Sequence, residues 1–181
     1  DKCSYRVLKK DCLDLPDKIY TIRYVSLTDE QKDMYSKIQK QALIMFDNGD
    51  MVSAPAVITQ MLRVQQVLSG HLKTDDGDMV YFESKRMDAL LEVLEEHQGK
   101  AIIWSRFRHD IISITNTLEK TFGKGSVASY YGDTKDDDRQ RIVEKFQDKN
   151  SRLRFFVGNP STAGYGLTLT EANLVVYYAN D

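Results

Sequence analysis

Residues 155–181 read FFVGNPSTAGYGLTLTEANLVVYYAND. Two apolar runs rich in β-branched and aromatic residues flank a loop of Gly, Ser and Thr, which predicts two strands joined through that loop. Gly164 and Gly166 allow positive φ and a close approach of the backbone to a ligand. Ser161 and Thr162 offer hydroxyl donors, and the N–H groups of such a loop can form an anion-binding nest. On spacing alone, a phosphate-binding loop and a plain tight turn stay equally open.

Strands and helices alternate from Gly99 onward. This alternation is typical of βαβ units, so the sequence predicts an α/β fold with a doubly wound, mainly parallel sheet covered on both faces. Ligands of such sheets bind beyond the carboxyl ends of the strands, where Arg106 and Arg108 also lie. Thr134 is expected to cap the helix that follows the second strand. The strands are predicted at about 101–105, 126–131, 154–158 and 174–178.

Residues 28–98 are predicted to form an acidic helical insertion. They carry 7 Lys or Arg against 13 Asp or Glu, so a polyanion is expected to bind nearer the two ends of the chain. Thr28 and Gln31 fit a capping box at the start of the first helix. Two further helices are expected at about 55–69 and 84–97, the first of them with Ile58 and Met61 on its apolar side.

The remaining parts of the chain complete the predicted organisation. Residues 19–25, IYTIRYV, alternate well enough to predict a strand that joins the sheet or lies beside it. Residues 1–27 would then be a linker and strand leading into the lobe, and residues 99–181 its core. No apolar run is long enough to span a bilayer, and the first residues do not have the pattern of a signal peptide, so neither a membrane span nor a signal peptide is expected from the sequence.

Several polar signals have simple explanations. Residues 29–32, DEQK, resemble an acidic Mg²⁺ box, but they open an amphipathic helix, which favours capping. Residues 123–126, GKGS, lack the spacing of a phosphate-binding P-loop. Two cysteines without a partner set predict free thiols. His71, His97 and His109 are too scattered along the sequence for a metal set, so no metal site is expected.

Three segments together carry a family resemblance. KAIIWSRF (100–107), YYGDTKDDDRQRIVEKF (130–146) and the stretch 155–181 are similar, in order and spacing, to motif IV, the Gly-bearing motif and motif V of Swi/Snf-type helicase-family ATPases. The segments 8–35 and 60–72 resemble the family's lead into the second lobe and its helical insertion. The chain is thereby identified as a second, C-terminal RecA-like lobe, and the resemblance covers essentially its whole length.

The resemblance implies a motor in which two RecA-like lobes close on ATP and step along duplex DNA. ATP and Mg²⁺ would be bound mostly by the first lobe, and the partners would be the double-stranded DNA backbone and that first lobe, with no membrane contact. The location would be intracellular, in the cytoplasm, nucleoid or nucleus. Many relatives have Arg after the Ser-Thr pair, where this chain has Ala163, which implies a weaker grip on DNA. The implied DNA contacts are Ser105, Arg106, Gly132, Ser161 and Thr162, and the implied nucleotide contacts are Gly164, Tyr165 and Gly166.

The resemblance also implies that the chain is a fragment. The family continues beyond Asp181 into motif VI, whose arginines stabilise charge on the transferred phosphoryl group. A P-loop is absent as well, so no catalytic residue is assigned here and the 181 residues alone are expected to hydrolyse no ATP. Two alternatives stay open: a non-catalytic doubly wound module that binds a phosphorylated ligand or a protein partner, and an acidic helical adaptor built on residues 28–98.

Overall fold

The computed structural model describes residues 17–47, 54–163 and 166–180. Within these ranges no helix is long and apolar enough to cross a membrane. The helices are α1 (Asp29–Asp47), α2 (Ala54–Leu68), α3 (Arg86–Glu96), α4 (Arg108–Phe122), α5 (Asp136–Gln147) and α6 (Pro160–Ala163). The strands are β1 (His71–Lys73), β2 (Met79–Tyr81), β3 (Lys100–Ser105), β4 (Val127–Tyr130), β5 (Phe155–Gly158) and β6 (Ala172–Ala179).

A four-stranded sheet in the order β4-β5-β3-β6 organises the fold. Every neighbouring pair in it is parallel; Trp104 of β3, for example, pairs with Gly158 on one side and with Tyr177 on the other. The predicted α/β fold with a parallel sheet is therefore confirmed. Because all four strands run the same way, their carboxyl ends meet at one edge of the sheet.

Alternate residues of the central strands enter two different cores. Ile103 and Phe155 pack with α3 and α4 on one face, whereas Ile102 and Phe156 pack with Phe146 of α5 on the other. Fully burying one such side chain contributes about 1.5–3 kcal/mol, which explains why both faces are covered. Helix α3 shares the first core, although its composition groups it with the acidic middle of the chain.

Helices α1 and α2 and the hairpin β1–β2 form a smaller unit around Ile38, Val67 and Phe82. The predicted capping box is confirmed, since the Thr28 N–H donates to Gln31 Oε1 (3.1 Å) and the Gln31 N–H donates to Thr28 Oγ1 (3.3 Å). Gln31 is buried, and its Nε2 also donates to the Val67 carbonyl (2.8 Å), which ties α1 to α2.

The hairpin β1–β2 was not expected from the sequence. Its strands pair antiparallel, and its turn reverses the chain through Gly77, whose φ is +94°. The Thr74 N–H donates to the Asp78 carbonyl across this turn (2.8 Å). Each strand is only three residues long and the turn between them is acidic, so the sequence has too little alternation to predict the hairpin.

The predicted strand at 19–25 is wrong. Residues 17–28 have no regular structure, and the side chains of Ile19 and Tyr24 are 88% and 91% exposed. Alternation alone does not make a strand, because a strand needs a neighbour to accept its ladder hydrogen bonds. Among the described residues, none of the four strands of the sheet pairs with this segment.

The predicted cap at Thr134 is also wrong. The N-cap position of α5 is occupied by Lys135, which makes no side-chain capping bond. Thr134 Oγ1 instead accepts from the Tyr131 N–H (3.0 Å) and donates to the Ser129 carbonyl (3.4 Å). Its hydroxyl therefore closes the turn after β4 rather than the start of the helix.

Candidate functional site

Three loops meet at the carboxyl edge of the sheet, and Asn159 joins them. Its Nδ2 donates to the Arg106 carbonyl in the loop after β3 (2.7 Å). Its backbone N–H donates to the carbonyl of Tyr130 at the end of β4 (3.1 Å). Asn159 itself follows β5, so one residue fixes the spacing of the three loops.

Asn159 also begins the short helix α6. Its Oδ1 accepts from the Ser161 N–H (2.8 Å), and its carbonyl accepts from the N–H groups of Thr162 (3.0 Å) and Ala163 (2.9 Å). An Asn followed by Pro is the signature of an N-cap and first helical position, because Asn accepts from a free N–H and Pro has none to satisfy. Asn159 is not among the site residues predicted above, although its position before Pro160 indicates it.

The preceding residue, Gly158, is required by packing. A Cβ at this position would lie 2.8 Å from Trp104 Cζ3 and 3.2 Å from the Tyr130 carbonyl oxygen. The close approach of the three strand ends therefore depends on the absence of a side chain here.

The structure brings most of the predicted DNA-contacting residues to this edge. Ser161 is exposed and Thr162 is half-buried on α6, while Gly132 is exposed in the loop after β4. Ser105 differs: it is fully buried, and its hydroxyl donates to Asp110 Oδ2 (2.9 Å). Its side chain therefore faces the interior and not the surface, contrary to the expectation, since it holds the first turn of α4.

Arg106 links the edge to helix α2. Its Nη1 donates to Gln65 Oε1 of α2 (3.3 Å), and its backbone N–H donates to the Ala179 carbonyl of β6 (3.2 Å). Together with the bond from Asn159 to its carbonyl, these contacts hold both the backbone and the side chain of Arg106. The residue as a whole is half-buried.

Arg108 supplies a more exposed positive charge at the same edge. Its side chain is 64% exposed, and its Nη2 lies 2.5 Å from Asp133 Oδ2 in the loop after β4. The guanidinium also lies over the Tyr131 ring, 5.8 Å from its centroid. Asp133 balances the charge that Arg108 would otherwise offer to an anion.

Of the three residues predicted to border a nucleotide, the structure describes Gly166. It is exposed and has a φ of +78°, in the region that favours glycine. Gly164 and Tyr165 lie outside the described residues.

A second polar cluster lies behind the loop after β3. His71 of β1 meets His109 and Asp110 of α4, and the candidate ligand atoms all lie within 4.8 Å of one another. The expectation that the histidines are too scattered is therefore wrong for His71 and His109. Burial lowers the pKa of His109, and His71 lowers it further, while burial raises the pKa of nearby Tyr178. The sequence contains no signal for this cluster, because His71 on β1 lies 38 residues before His109 on α4 and the two meet only in the folded chain.

In comparison with known protein families, residues 85–181 match the helicase conserved C-terminal domain family. Over 90% of the chain, the fold superposes on the SWI2/SNF2 ATPase C-terminal domain of Sulfolobus solfataricus, covering 72% of that chain with a TM-score of 0.71 and 29% identity. The SWI2/SNF2 ATPase core from the same organism, solved in complex with dsDNA, gives a TM-score of 0.70 with 29% identity over 94% of this chain and 36% of that one.

Curated relatives agree with the structural neighbours. YwqA of Bacillus subtilis, named provisionally as an ATP-dependent helicase/translocase, is 27% identical over 92% of this chain and 18% of its own length. The ISWI chromatin-remodeling complex ATPase ISW1 of Saccharomyces cerevisiae is 25% identical over 92% of this chain and 16% of its own length. The chain thus spans less than a fifth of the length of these relatives.

Proposed function

The chain belongs to the family of helicase conserved C-terminal domains and has the RecA-like fold of the SWI2/SNF2 second lobe, and from this premise we propose that it serves an ATP-driven motor that moves along double-stranded DNA. In this proposal the carboxyl edge of its sheet contacts the phosphate backbone of one DNA strand. The segment around Gly166 forms one wall of the ATP cleft.

The joining of three loops by Asn159 is the observation that carries the proposal. DNA phosphates are bound by backbone N–H groups, by hydroxyls and by Arg or Lys, and these contacts need fixed spacing because phosphates recur at regular intervals. Asn159 holds together the loops that carry the exposed Gly132 and Ser161 and the half-buried Arg106, which supports a fixed arrangement of these residues at one edge. The similar Sulfolobus core solved with dsDNA supports the choice of ligand.

Ser105 acts indirectly in this proposal. Its buried hydroxyl holds Asp110, and thus fixes the turn from which Arg106 and Arg108 project. We therefore assign Ser105 a positioning role and leave the contacts with phosphate to the loop residues that follow it.

ATP would enter from the side of the edge that carries Gly166. A glycine with positive φ suits a wall where the backbone approaches a nucleotide closely. ATP supplies the phosphoryl transfer, which requires a phosphate cradle, a held Mg²⁺ and a positive charge. The sequence contains no G-x-x-x-x-G-K-[ST] motif, so we assign the triphosphate and Mg²⁺ mainly to a first lobe. The 181 residues alone should then release no phosphate from ATP above background.

A salt titration of duplex binding tests the proposed DNA face. Replacing Arg106 with Gln removes one charge while keeping a group that can contact Gln65. If Arg106 contacts a phosphate, binding should weaken equally for unrelated sequences, and the slope of log K against log salt should fall by about 1. Arg152→Gln is the matched control, because Arg152 is exposed and precedes β5 at the opposite edge of the sheet.

The pair Arg108–Asp133 gives a test with the opposite sign. Asp133→Asn removes the carboxylate that balances Arg108 and should therefore strengthen DNA binding at low salt. Unchanged affinity in both Arg106→Gln and Asp133→Asn, with a salt slope equal to that of Arg152→Gln, would place the DNA elsewhere.

A further inference from the structure

The cluster of His71, His109 and Asp110 has the geometry of a metal site. His71 Nδ1 lies 3.3 Å from Asp110 Oδ1, and His109 Nδ1 lies 3.7 Å from the same oxygen. Zinc bonds of about 2.0–2.2 Å in a tetrahedral arrangement separate two ligand atoms by about 3.3–3.5 Å. The two separations to Asp110 lie within a few tenths of an ångström of this range, and all three ligand atoms lie within 4.8 Å of one another, so one ion could be held after a small adjustment of the side chains.

Two buried nitrogens in the cluster lack hydrogen-bond partners. Among the described residues, neither His71 Nδ1 nor His109 Nδ1 has one, although the side chain of His71 is only 3% exposed. A buried polar atom without a partner is costly and calls for an explanation. Both nitrogens lie beside the same carboxylate oxygen, so a cation between them would satisfy all three atoms at once.

The surroundings of Asp110 favour an ion at this point. Its Oδ2 accepts from the Ser105 hydroxyl (2.9 Å), which leaves Oδ1 directed to the two imidazoles. Such outer-shell hydrogen bonds orient the carboxylate ligands of metal sites. The side chain of His109 is 34% exposed, so an ion could reach the cluster past this residue.

From these observations we propose that His71, His109 and Asp110 bind a divalent transition-metal ion of the zinc type. Two imidazole nitrogens and one carboxylate oxygen suit zinc and its neighbours, whereas Mg²⁺ and Ca²⁺ prefer sets made only of oxygen. Water would complete the coordination, since three protein ligands leave one tetrahedral position. The ion would clamp β1 of the insertion to the first turn of α4, directly behind the loop that holds Arg106. This proposal stands on the cluster alone and does not depend on DNA binding.

Cobalt titration of the 181-residue chain tests the site. The protein carries no polyhistidine tag, and Cys3 and Cys12 are replaced by serine in every version so that their thiolates cannot bind the ion. After removal of metal by a chelator, Co²⁺ is added stepwise and its visible absorption is recorded. We expect one bound Co²⁺ whose absorption depends on this cluster and is lost on addition of Zn²⁺.

Four variants decide where the ion binds. His71→Gln and Asp110→Asn should each weaken binding by more than about 100-fold, and Ser105→Ala should weaken it by about 10- to 100-fold, as expected for an outer-shell partner. His97→Gln is the matched control, because His97 lies outside the cluster, where its Nε2 contacts Asn173 Oδ1 (2.7 Å). Circular dichroism checks folding, and Asp110→Asn and Ser105→Ala decide the question if His71→Gln does not fold. No Co²⁺ binding by the parent protein, or equal binding by the parent, Asp110→Asn and Ser105→Ala, would overturn the proposal.

Discussion

Replacing Arg154 with Met should destabilise the protein, because the guanidinium of Arg154 closes the end of α3 against the sheet. Its Nε donates to the Gly99 carbonyl (3.1 Å), and its Nη2 donates to the carbonyls of Leu94 (2.8 Å) and His97. The last carbonyls of a helix have no partners within the helix. A cation at this end donates hydrogen bonds to them and interacts favourably with the negative end of the helix dipole. Methionine has similar length and no donor.

The expected loss is about 3 kcal/mol. A hydrogen bond from a charged donor contributes about 1.5–3 kcal/mol, but three bonds from one side chain do not add, and water reaches a half-buried carbonyl after the substitution. The guanidinium also lies 4.7 Å from the Phe155 ring centroid and 5.2 Å from that of Phe122. These cation–π contacts contribute about 0.5–2 kcal/mol. Burial lowers the pKa of Arg154, and the lost hydration that this reflects offsets part of the gain.

Guanidinium unfolding followed by the fluorescence of Trp104 measures the change. The sequence has one Trp, and Trp104 packs edge-on against Phe156 in the sheet, so its signal reports the core. Arg154→Lys keeps the charge without the forked donors and should restore about half of the loss. Arg152→Met is the control, with an exposed side chain two residues away. A loss below about 1 kcal/mol, or one equal to that of Arg152→Met, would show that Arg154 does not stabilise the end of α3.

Three further substitutions test other contacts. Gly158→Ala should lower the free energy of unfolding by about 1–3 kcal/mol, because the added Cβ meets Trp104. Gly132→Ala is the control, because a Cβ there has nothing within 4 Å and should leave the stability unchanged. Equal thermal unfolding midpoints for the two variants would contradict this prediction. Gln31→Ala removes the capping box and the bond to a buried carbonyl of α2, so urea unfolding should show a loss of about 1–3 kcal/mol, and an unchanged midpoint would count against it. Lys100→Met removes the donor to the Phe146 carbonyl (2.6 Å) at the end of α5. Amide hydrogen exchange in the last turn of α5 should therefore become about 5- to 10-fold faster. Equal exchange rates in the parent protein and the variant would show that Lys100 does not stabilise this helix end.

Local periodicity predicted the strands of the sheet, each of which has a partner strand to pair with. After Gly99, strand-like and helix-like periods alternate along the sequence, and the four strands predicted there are the four strands of the parallel sheet. Residues 19–25 have a similar alternation but no partner strand among the described residues, so the same pattern gives an extended, exposed segment. In α2 the expected inward residues Ile58 and Met61 are 56% and 60% exposed, because the helix turns Val67 toward α1 instead.

The site was predictable in its place but not in its connections. The carboxyl edge follows from parallel strands, and Ser161 and Gly132 lie there as expected. The inward turn of Ser105 depends on Asp110, five residues later, and no rule of sequence indicates that the pair is buried. The approach of His71 to His109 depends on the docking of a hairpin whose acidic turn concealed its strands.

The hydrogen bonds of Asn159 connect the loops of the carboxyl edge to one another. Asn159, at the start of α6, bonds to Arg106, and Arg106 bonds to Gln65 of α2, so a displacement of α6 can be transmitted to α2. If the edge moved by more than the length of a hydrogen bond, either these contacts would break or α2 would move with the edge. Helix α2 and the smaller unit around Ile38, Val67 and Phe82 are therefore coupled to the carboxyl edge through Arg106, so we expect binding at the edge to alter the contact at Gln65.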